Sequence, residues 1–425
     1  MNMTFFDELK ERGLIYQSTD EAAIQEKLNK ESVKLYIGFD PTADSLHVGS
    51  LVPILMLRRF QLAGHTPVAL VGGGTGMIGD PSFKDSERQL NTEDTVHAWT
   101  EALRVQLSSF IDFEDEKVPA MIVNNYDWLG KVSLLEFLRD VGKNFTINYM
   151  MSKESVKRRI ETGISYTEFA YQILQGYDFL KLYQEHGIQF QAGGSDQWGN
   201  ITAGTELIRK ETGESAFAFT LPLITTSDGK KFGKSEGNAI WLDAKKTSPY
   251  EFYQYWLNQT DEDAVRYLKI FTFMSLEEIA EVEEEFLKDK GTRLAQKRLA
   301  EEVTTIVHGK KALEKAIEIS AIFFGGGDLK DVPADILRNK FENDKNVATY
   351  EVGTDEDRNI VELLVASKIS PSKRQAREDV ANGAIYINGV RQDDLAYVLN
   401  DEDKIDGSFT IIRRGKKKNF LIKYV

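Results

Sequence analysis

The amino-acid sequence predicts an α/β domain with a doubly wound parallel sheet, followed by an α-helical domain and a small α+β domain. Short β-rich runs alternate with helical patterns over the first 220 residues, and this alternation is typical of a parallel sheet with helices on both faces. Residues 248–324 show a helical pattern throughout, and a compact basic unit with hairpin signals follows them. The 425 residues are enough for two or three domains.

The first predicted domain, residues 1–222, has strands and helices in alternating order. We expect strands at residues 33–39, 67–71, 120–124 and 188–192. Helical patterns cover residues 46–62, 92–110, 133–160, 167–184 and 196–211. In folds of this type, ligands bind beyond the carboxyl ends of the strands. The functional loops are therefore expected at residues 38–49, 72–88 and 193–198, which are rich in glycine and polar residues.

Residues 223–324 are predicted to hold a lysine-containing loop and then a helical domain. Ser248-Pro249-Tyr250-Glu251 is typical of a helix start, because serine can cap the helix, proline suits its first position and glutamate follows three residues after serine. Glycines end the helical region at residue 325, and the weakly patterned residues 325–352 are predicted to be a linker.

The last predicted domain, residues 353–425, is small and basic. A helix is expected to start near Ser370 and to end at Gly383, with three cationic side chains on it: Lys373, Arg374 and Arg377. Asn388-Gly389 predicts a hairpin turn, and residues 409–414 and 419–424 predict a second hairpin. From Arg358 onward the chain has 13 Lys and Arg against 9 Asp and Glu, whereas the remainder has 40 against 58. This asymmetry predicts a basic appendage on an acidic body.

The composition argues against a membrane span, a signal peptide, disulfides and metal sites. With 41% apolar and 28% charged residues, the chain is typical of soluble globular proteins, and we find no apolar run of the roughly 18 residues that a membrane span needs. The acidic start, residues 1–8, predicts no signal peptide. No cysteine is present, so disulfides and thiolate metal sites are excluded, and the 5 scattered histidines predict no metal site. These features predict a cytoplasmic enzyme.

Two distant segments carry the strongest chemical signal. Lys231-Phe232-Gly233-Lys234-Ser235 places two lysines three apart in a glycine-containing loop, which suits binding of a polyphosphate. Asp40-Pro41-Thr42 and His47-Val48-Gly49-Ser50 lie where a strand passes to a helix, and the amides of that helix start could bind phosphate oxygens. The lysine loop is not a P-loop, since only three residues separate Gly229 and Gly233. Taken alone, it could equally be a solvated basic turn.

The loop after the second predicted strand formally matches a dinucleotide fingerprint, from Gly74 to Gly79. That fingerprint must open a helix directly, whereas Asp80-Pro81-Ser82 follows and breaks one. We therefore predict a loop whose glycines let a substrate approach the backbone, with Asp80 placed to meet a cation such as an amino group. A plain glycine turn is the alternative. Lys84 and Arg88, four residues apart, are alone more typical of a solvated helix face.

A second group of candidates lies on one helix. Tyr171, Gln175 and Asp178 have spacings of four and three, which places them on one face. An aromatic residue alone would indicate core, but the polar Gln175 and Asp178 favour a polar pocket. Asp196 and Gln197 follow a predicted strand, at a junction where a ligand is expected.

These residues together resemble a known family. The strand, the Pro-Thr turn and His47-Val48-Gly49-Ser50 resemble the HIGH signature of class I aminoacyl-tRNA synthetases, and residues 231–235 resemble their KMSKS loop. Four flanking segments are similar to bacterial tyrosyl-tRNA synthetases in order and spacing: residues 36–47, 72–80, 171–178 and 193–200. The C-terminal unit resembles a small RNA-binding domain first seen in a ribosomal protein. The resemblance covers essentially the whole chain and implies a Rossmann-like catalytic domain.

The resemblance implies a two-step reaction with ATP and tRNA(Tyr). The carboxylate of L-tyrosine attacks the α-phosphate of ATP, and the terminal ribose of tRNA then takes the activated tyrosyl group. By resemblance, Thr42 and His47 contact the γ-phosphate end, and four cations with Mg²⁺ surround the pyrophosphate: Lys84, Arg88, Lys231 and Lys234. Further ATP contacts are implied for Gly38, Asp40, Gly49, Ser50, Gly193, Asp196 and Ser235, with Asp196 taking the ribose.

The resemblance also assigns the tyrosine pocket. Asp80, Tyr171 and Gln175 would hold the amino group, and Gln197 would lie on the carboxylate side. Tyr36 and Asp178 would bond the phenol, so that phenylalanine would leave them unpaired; tyrosyl-tRNA synthetases are a known example of such discrimination. Two positions depart from the family pattern: Ser50 replaces the second histidine of HIGH, and Ile37 stands where many relatives have cysteine.

Other expectations concern partners and rivals. The resemblance implies a homodimer formed by the region around residues 125–161, and RNA contacts through Lys373, Arg374 and Arg377. A tryptophan-specific relative is the nearest enzymatic alternative, although the polar Tyr36 and Asp178 favour a phenol over an indole. An RNA-binding protein on an inactive synthetase scaffold is the alternative from another class.

Overall fold

The computed structural model describes residues 3–82, 89–229, 232–235, 238–342, 344, 346–353, 358–416 and 418–425. It divides the chain into two compact units, the first formed by Met1–Thr247 with Glu251–Gly309 and the second by Ser248–Tyr250 with Lys310–Val425. The predicted domain boundaries after residues 222, 324 and 352 stay a prediction. No helix in the described ranges has the length and apolar character of a membrane span.

The first unit is built around a six-stranded sheet. Its strands are β1 (Gln17–Ser18), β2 (Lys34–Phe39), β3 (Thr66–Val71), β4 (Met121–Asn124), β5 (Phe190–Gly194) and β6 (Phe217–Leu221). The strand order is β1-β6-β5-β2-β3-β4, and all neighbours are parallel except β1, which is antiparallel to β6. The predicted parallel sheet is thus confirmed, whereas β1 and β6 were not predicted. A two-stranded hairpin, β7 (Lys234–Ser235) and β8 (Asn238–Ala239), lies in the lysine loop.

Helices of the first unit cover the sheet and continue into a helical region. They are α1 (Phe5–Glu11), α2 (Glu21–Lys30), α3 (Leu51–Leu62), α4 (Glu93–Leu107), α5 (Tyr126–Leu129), α6 (Leu134–Glu136), α7 (Ile147–Met151), α8 (Glu154–Ile160), α9 (Tyr166–His186), α10 (Trp198–Thr212), α11 (Pro249–Leu257), α12 (Asp261–Phe271), α13 (Leu276–Lys288) and α14 (Leu294–His308). One core cluster packs Tyr36 and Val68 of the sheet against Phe179 of α9 and Leu207 of α10.

Two predicted helices differ from the structure, and capping side chains explain both differences. The predicted helix at 46–62 starts later, because His47 caps a single 3-10 turn, Val48–Ser50, before α3. The predicted helical stretch 133–160 is divided among α6, α7, α8 and intervening π and 3-10 turns. Ser133 and Thr146 each accept a hydrogen bond from a backbone N–H three residues on, which starts a new helix at each position.

In its described residues, the second unit contains a five-stranded sheet and four α-helices. These are α15 (Lys310–Gly325), α16 (Ala334–Glu342), α17 (Ile360–Ala366) and α18 (Lys373–Ala381), with β9 (Ala348–Val352), β10 (Ile385–Ile387), β11 (Val390–Gln392), β12 (Phe409–Arg414) and β13 (Lys418–Tyr424). Both predicted hairpins are confirmed, and Asn388 and Gly389 have the positive φ values, 48° and 86°, that a two-residue turn requires. The segment predicted to be a linker contains α16 and β9, which pairs in parallel with β13.

Candidate active site

The most deeply buried acid of the site is Asp178, near the middle of α9. Its side chain is 2% exposed and accepts hydrogen bonds from Asn125 Nδ2 at 2.9 Å and Trp128 Nε1 at 2.7 Å. Burial raises the pKa of Asp178 to about 8, although both hydrogen bonds act in the opposite direction. The α9 helix therefore carries a carboxyl group held by two fixed donors in a weakly solvated position.

Tyr36 on β2 provides a second polar group near Asp178. The residue is 1% exposed, and its hydroxyl has no hydrogen-bond partner among the described residues. Burial raises its pKa, and the charge of Asp178 raises it further. Unpaired buried hydroxyls are rare because their desolvation is not offset. A hydroxyl of this kind close to a carboxyl group is suited to bind a polar group of a ligand.

A continuous hydrogen-bond network joins Asp178 to the amino-terminal strands. Asn125 donates from Nδ2 to both Asp178 and Thr75 Oγ1, the latter at 2.9 Å. Thr75 donates to Asp40 Oδ1 at 2.6 Å, and the Tyr171 hydroxyl donates to Asp40 Oδ2, also at 2.6 Å. The predicted residues Asp40, Tyr171 and Asp178 thus belong to one network, through two residues that were not predicted.

Asp80 and Gln197 meet close to Tyr171. Gln197 Nε2 donates to Asp80 Oδ2 at 2.6 Å, and the Ser82 amide donates to Asp80 Oδ1 at 3.0 Å. Burial raises the pKa of Tyr171, and the charges of Asp40 and Asp80 raise it further. Gln175 is half-buried on α9, one helical turn after Tyr171. Three of the predicted tyrosine ligands are therefore brought together, around groups able to hold a cation.

Glycines of the loop after β3 pack closely against other side chains of the protein. A Cβ on Gly72 would overlap Asp40 Oδ1, and one on Gly76 would lie 2.8 Å from the ring of Pro41. Asp40 and Pro41 therefore occupy the space on the Cβ side of these two glycines, and the approach of a substrate to the backbone of the loop at residues 74–79 stays a prediction. Gly38 differs, since a Cβ there would meet only Leu70 at 3.8 Å and the residue is exposed.

The structure also joins the two motifs that lie far apart in sequence. The Val48 amide donates to Ile240 O and the Leu242 amide donates to Leu46 O, both at 2.9 Å. His47 Nδ1 accepts the Gly49 amide at 3.0 Å, and the imidazole is exposed. The hairpin that carries the exposed Lys234 is therefore anchored beside the His47 turn.

The other predicted ATP ligands are placed as follows. Thr42 and Gly49 are exposed, and Ser50 is half-buried immediately before α3. Gly193 lies in β5 next to its last residue, and Asp196 lies in the 3-10 turn Ser195–Gln197. The backbone of Ser235 belongs to β7. Lys84, Arg88 and Lys231 lie outside the described residues.

Comparison with known proteins gives a clear family assignment. The family described as tRNA synthetases class I (W and Y) matches residues 28–325. The chain belongs to this family. A second family, the Tyrosine–tRNA ligase SYY-like C-terminal domain, matches residues 339–422. The predicted class I fold is thereby confirmed.

Individual relatives agree over the full length. The chain is 67% identical to Tyrosine–tRNA ligase 2 of Enterococcus faecalis, covering 100% of both chains. It is 63% identical to Tyrosine–tRNA ligase 1 of Streptococcus thermophilus, over 99% of this chain and 100% of that one. Among solved structures, a C-terminally truncated mitochondrial tyrosyl-tRNA synthetase of Aspergillus nidulans matches with a TM-score of 0.70 and 32% identity, covering 76% of this chain and 94% of that chain.

Several functional candidates of this class I synthetase were missed from the sequence. Thr75, Asn125 and Trp128 hold the network around Asp178. Gln191 on β5 is 2% exposed, pairs in register with Tyr36, and its Oε1 has no partner among the described residues. Asn125 directly follows β4, and its position beyond the carboxyl end of a parallel strand was the signal that could have revealed it.

The three predicted RNA contacts lie on α18 of the second unit and are exposed. Lys373 forms an ion pair with Glu362 at 2.7 Å, and Arg374 forms one with Glu378 at 3.1 Å. Exposed ion pairs contribute little to stability, so both cations can exchange their carboxylate for another anion. Arg377 is exposed on the same helix.

Proposed function

We propose that this chain is a tyrosine–tRNA ligase. It activates L-tyrosine with ATP to tyrosyl-adenylate and pyrophosphate, and then transfers tyrosyl to the 3′-terminal adenosine of tRNA(Tyr). The observation that carries the proposal is the buried Tyr36 hydroxyl, which lies near Asp178 and has no hydrogen-bond partner among the described residues. The names of the relatives support the same reaction.

The phenol of tyrosine matches this pair of groups. A phenol both donates and accepts one hydrogen bond, so it can donate to Asp178 while accepting from the Tyr36 hydroxyl. An indole N–H can only donate, and a phenyl ring can do neither, so tryptophan or phenylalanine would leave buried polar groups unpaired. Each Asp178 oxygen already accepts one N–H, but a carboxyl group keeps further acceptor capacity whether or not it is protonated, so it can accept another donor.

The other end of tyrosine is assigned to the second acidic group. The amino group would lie near Asp80, Tyr171 and Gln175, where two carboxylates raise the pKa of Tyr171 and favour a cation. Gln197, bonded to Asp80, would lie on the carboxylate side. These contacts orient the tyrosine carboxylate toward the α-phosphate of ATP.

ATP would bind between the His47 turn and the lysine hairpin. Thr42 and His47 would hold the γ-phosphate end, and Lys84, Arg88, Lys231 and Lys234 would meet the charge that develops on pyrophosphate. Gly38, Asp40, Gly49, Ser50, Gly193, Asp196 and Ser235 are the further proposed ATP contacts. Because the attacking group is the substrate's own carboxylate, catalysis requires orientation and electrostatic stabilisation rather than a protein nucleophile.

Magnesium is proposed to enter as part of the MgATP substrate. Within the described ranges, no group of three or more His, Cys, Asp or Glu side chains is arranged to hold a metal ion. Mg²⁺ commonly binds through substrate phosphates with few protein ligands, so the phosphates are the proposed ligands. The cytoplasm stays the predicted location, since the proposed product serves translation.

A homodimer is proposed from an exposed apolar face. Between residues 134 and 166, several large apolar side chains are strongly exposed: Leu134 71%, Leu135 78%, Ile147 64% and Tyr166 72%. Such a concentration of exposed apolar side chains is typical of protein interfaces. This face overlaps the predicted dimer region at residues 125–161. The exposed cations of α18 are the proposed contacts to tRNA.

The test is amino-acid-dependent exchange of labelled pyrophosphate into ATP. Wild type is expected to exchange with tyrosine but not with phenylalanine or tryptophan. Tyr36→Phe should weaken discrimination between tyrosine and phenylalanine by about tenfold, the effect of one lost hydrogen bond, and Asp178→Ala should abolish tyrosine preference.

Two results would contradict the proposal. Unchanged preference in Asp178→Ala would remove the assignment of the phenol pocket. No exchange by wild type with any of the three amino acids, together with binding of tRNA, would instead favour the RNA-binding protein on an inactive scaffold. Charging of tRNA(Tyr) by wild type tests the second step.

A further inference from the structure

Two buried arginines converge on the carboxyl-terminal end of α12. Arg59 of α3 is 6% exposed, and its Nη2 donates to Ile270 O at 3.2 Å and Thr272 O at 2.5 Å. Arg12, 4% exposed, donates from Nη2 to Met274 O at 2.7 Å. Both also reach Lys269 O, at 3.4 and 3.2 Å. These acceptors lie at the helix end, where backbone carbonyls lack intrahelical partners.

This arrangement is unfavourable for Arg59 itself. Burial lowers the pKa of Arg59 to about 9, and its Nε has no acceptor among the described residues. A buried cation is tolerated only where it is well bonded, and here the helix dipole and backbone carbonyls provide that stabilisation. The guanidinium is therefore held in one position, and it holds α12 there in turn.

The same helix supports the segment that leads into the lysine hairpin. The Ser227 amide donates to Asp263 Oδ2 at 2.9 Å, and the Tyr267 hydroxyl donates to Thr225 O at 3.0 Å. Further along the chain, the ring of Phe232 stacks on Phe271, with centroids 5.4 Å apart. Phe271 is the last residue of α12, next to the carbonyls that Arg59 holds.

Arg59 therefore links the helix that follows the His47 turn to the helix that contacts the lysine hairpin. The His47 turn leads directly into α3, which carries Arg59. Phe232 lies two residues before Lys234, and the Gly233 amide between them donates to the Tyr255 hydroxyl at 2.9 Å. A displacement of α12 would move Phe271, on which Phe232 stacks, relative to the start of α3.

We propose that Arg59 is a positioning residue for the lysine hairpin: it fixes the end of α12 and thereby, through Phe232, sets the place of Lys234 relative to His47. The proposal rests on the proposed function, because the geometry matters for ATP activation only if these two groups share the phosphate site. Arg12 supports the same helix end from α1.

The first experiment separates positioning from general stability. Arg59→Met should lower the kcat/KM for ATP in pyrophosphate exchange by about ten- to a hundredfold, the scale expected for misplaced catalytic groups. The dissociation constant for tyrosine, measured by equilibrium dialysis, should stay within about twofold, since the tyrosine pocket uses other contacts. Arg59→Lys, which keeps a cation and donors, should recover part of the activity.

The matched control is Phe286→Leu, a change to a 2% exposed core residue of α13. It should lower the melting temperature without changing the kinetics of exchange. If Arg59→Met lowered only the melting temperature, or weakened tyrosine binding as much as it slowed activation, the positioning role would be wrong.

A second readout does not depend on activity. In hydrogen exchange, the Gly233 and Ile240 amides should lose protection at least tenfold in Arg59→Met and in Phe232→Leu, and little more in the double variant, whereas α9 amides should not change. Wild-type protection at Gly233 in Arg59→Met would overturn the proposal. If the wild type failed to exchange pyrophosphate into ATP, only the proposed function would be contradicted. The hydrogen-exchange measurement tests the link from Arg59 to the lysine hairpin without any need for activity.

Discussion

At the scale of single residues, Asp178 combines functional value with an energetic penalty. Its carboxyl group is buried, and desolvation raises its pKa to about 8 despite hydrogen bonds from Asn125 and Trp128. The group that would select tyrosine is therefore one that burial destabilises. Binding sites often keep such residues at the expense of stability.

This pKa makes the stability of the protein depend on pH in a defined direction. An unfolded aspartate has a pKa of about 3.9, so between about pH 4 and 8 the folded state binds more protons than the unfolded state. The contribution of Asp178 is therefore present below about pH 4 and is lost as pH rises through about 8. Relative to Asp178→Asn, wild type should lose up to about 1.4 kcal/mol per pH unit within this window.

Urea unfolding of both proteins at several pH values between 4 and 9 measures this difference. The comparison uses the slope, because the altered hydrogen bonds of Asp178→Asn shift both ends of the curve equally. Parallel curves for the two proteins would show that Asp178 has an ordinary pKa.

At the scale of elements, the loops at the carboxyl edge of the sheet decide the geometry of the site. The turn after β3 brings Thr75 to Asp40, and the turn after β4 brings Asn125 to both Thr75 and Asp178. Gly72 makes this possible, since a Cβ there would overlap Asp40 and approach Thr75 Oγ1 at 2.5 Å. The glycine serves the packing of two loops rather than the access of a ligand.

Gly72→Ala should therefore distort the proposed tyrosine pocket. Displacement of Asp40 is expected to lower the free energy of unfolding by about 1–3 kcal/mol, as overpacking does, and to weaken tyrosine binding. Gly325→Ala is the matched control, because nothing lies within 4 Å of a Cβ there. Equilibrium dialysis and urea unfolding measure both effects, and wild-type values for Gly72→Ala would contradict this account.

At the scale of the whole molecule, the exposed apolar face between residues 134 and 166 supports the proposed homodimer. Leu134, Leu135, Ile147 and Tyr166 are among its exposed side chains. The short helices α6 and α7, which carry Leu134, Leu135 and Ile147, follow α5, whose Trp128 bonds to Asp178. The proposed interface is therefore close in sequence to the proposed tyrosine pocket.

Leu135→Asp should convert the proposed dimer into a monomer at micromolar concentration, because a charge would be buried without a partner. Sedimentation equilibrium measures the mass, and Leu62→Asp, 60% exposed on α3, is the control expected to stay dimeric. A monomeric wild type, or a dimeric Leu135→Asp, would contradict the proposed interface.

The features that could be predicted from the sequence are those that depend on local signals. Strand and helix alternation predicted the parallel sheet, the spacing of Tyr171, Gln175 and Asp178 predicted a shared helix face, and Asn388-Gly389 predicted a hairpin. Each signal lies within a few residues and follows from helix periodicity or turn chemistry. The resemblance of the motifs likewise identified the family, because such a resemblance depends on short segments in a fixed order.

Contacts between residues far apart in sequence could not be predicted, because they arise only when the chain folds. Arg59 bonds to Thr272, 213 positions away, and Asn125 bonds to Asp178, 53 positions away. The edge strand β1 is only two residues long and exists because it pairs with β6, while the helix predicted at 133–160 yields to caps at Ser133 and Thr146. Such contacts depend on how the layers pack, and local propensity carries no record of a partner that only folding brings near.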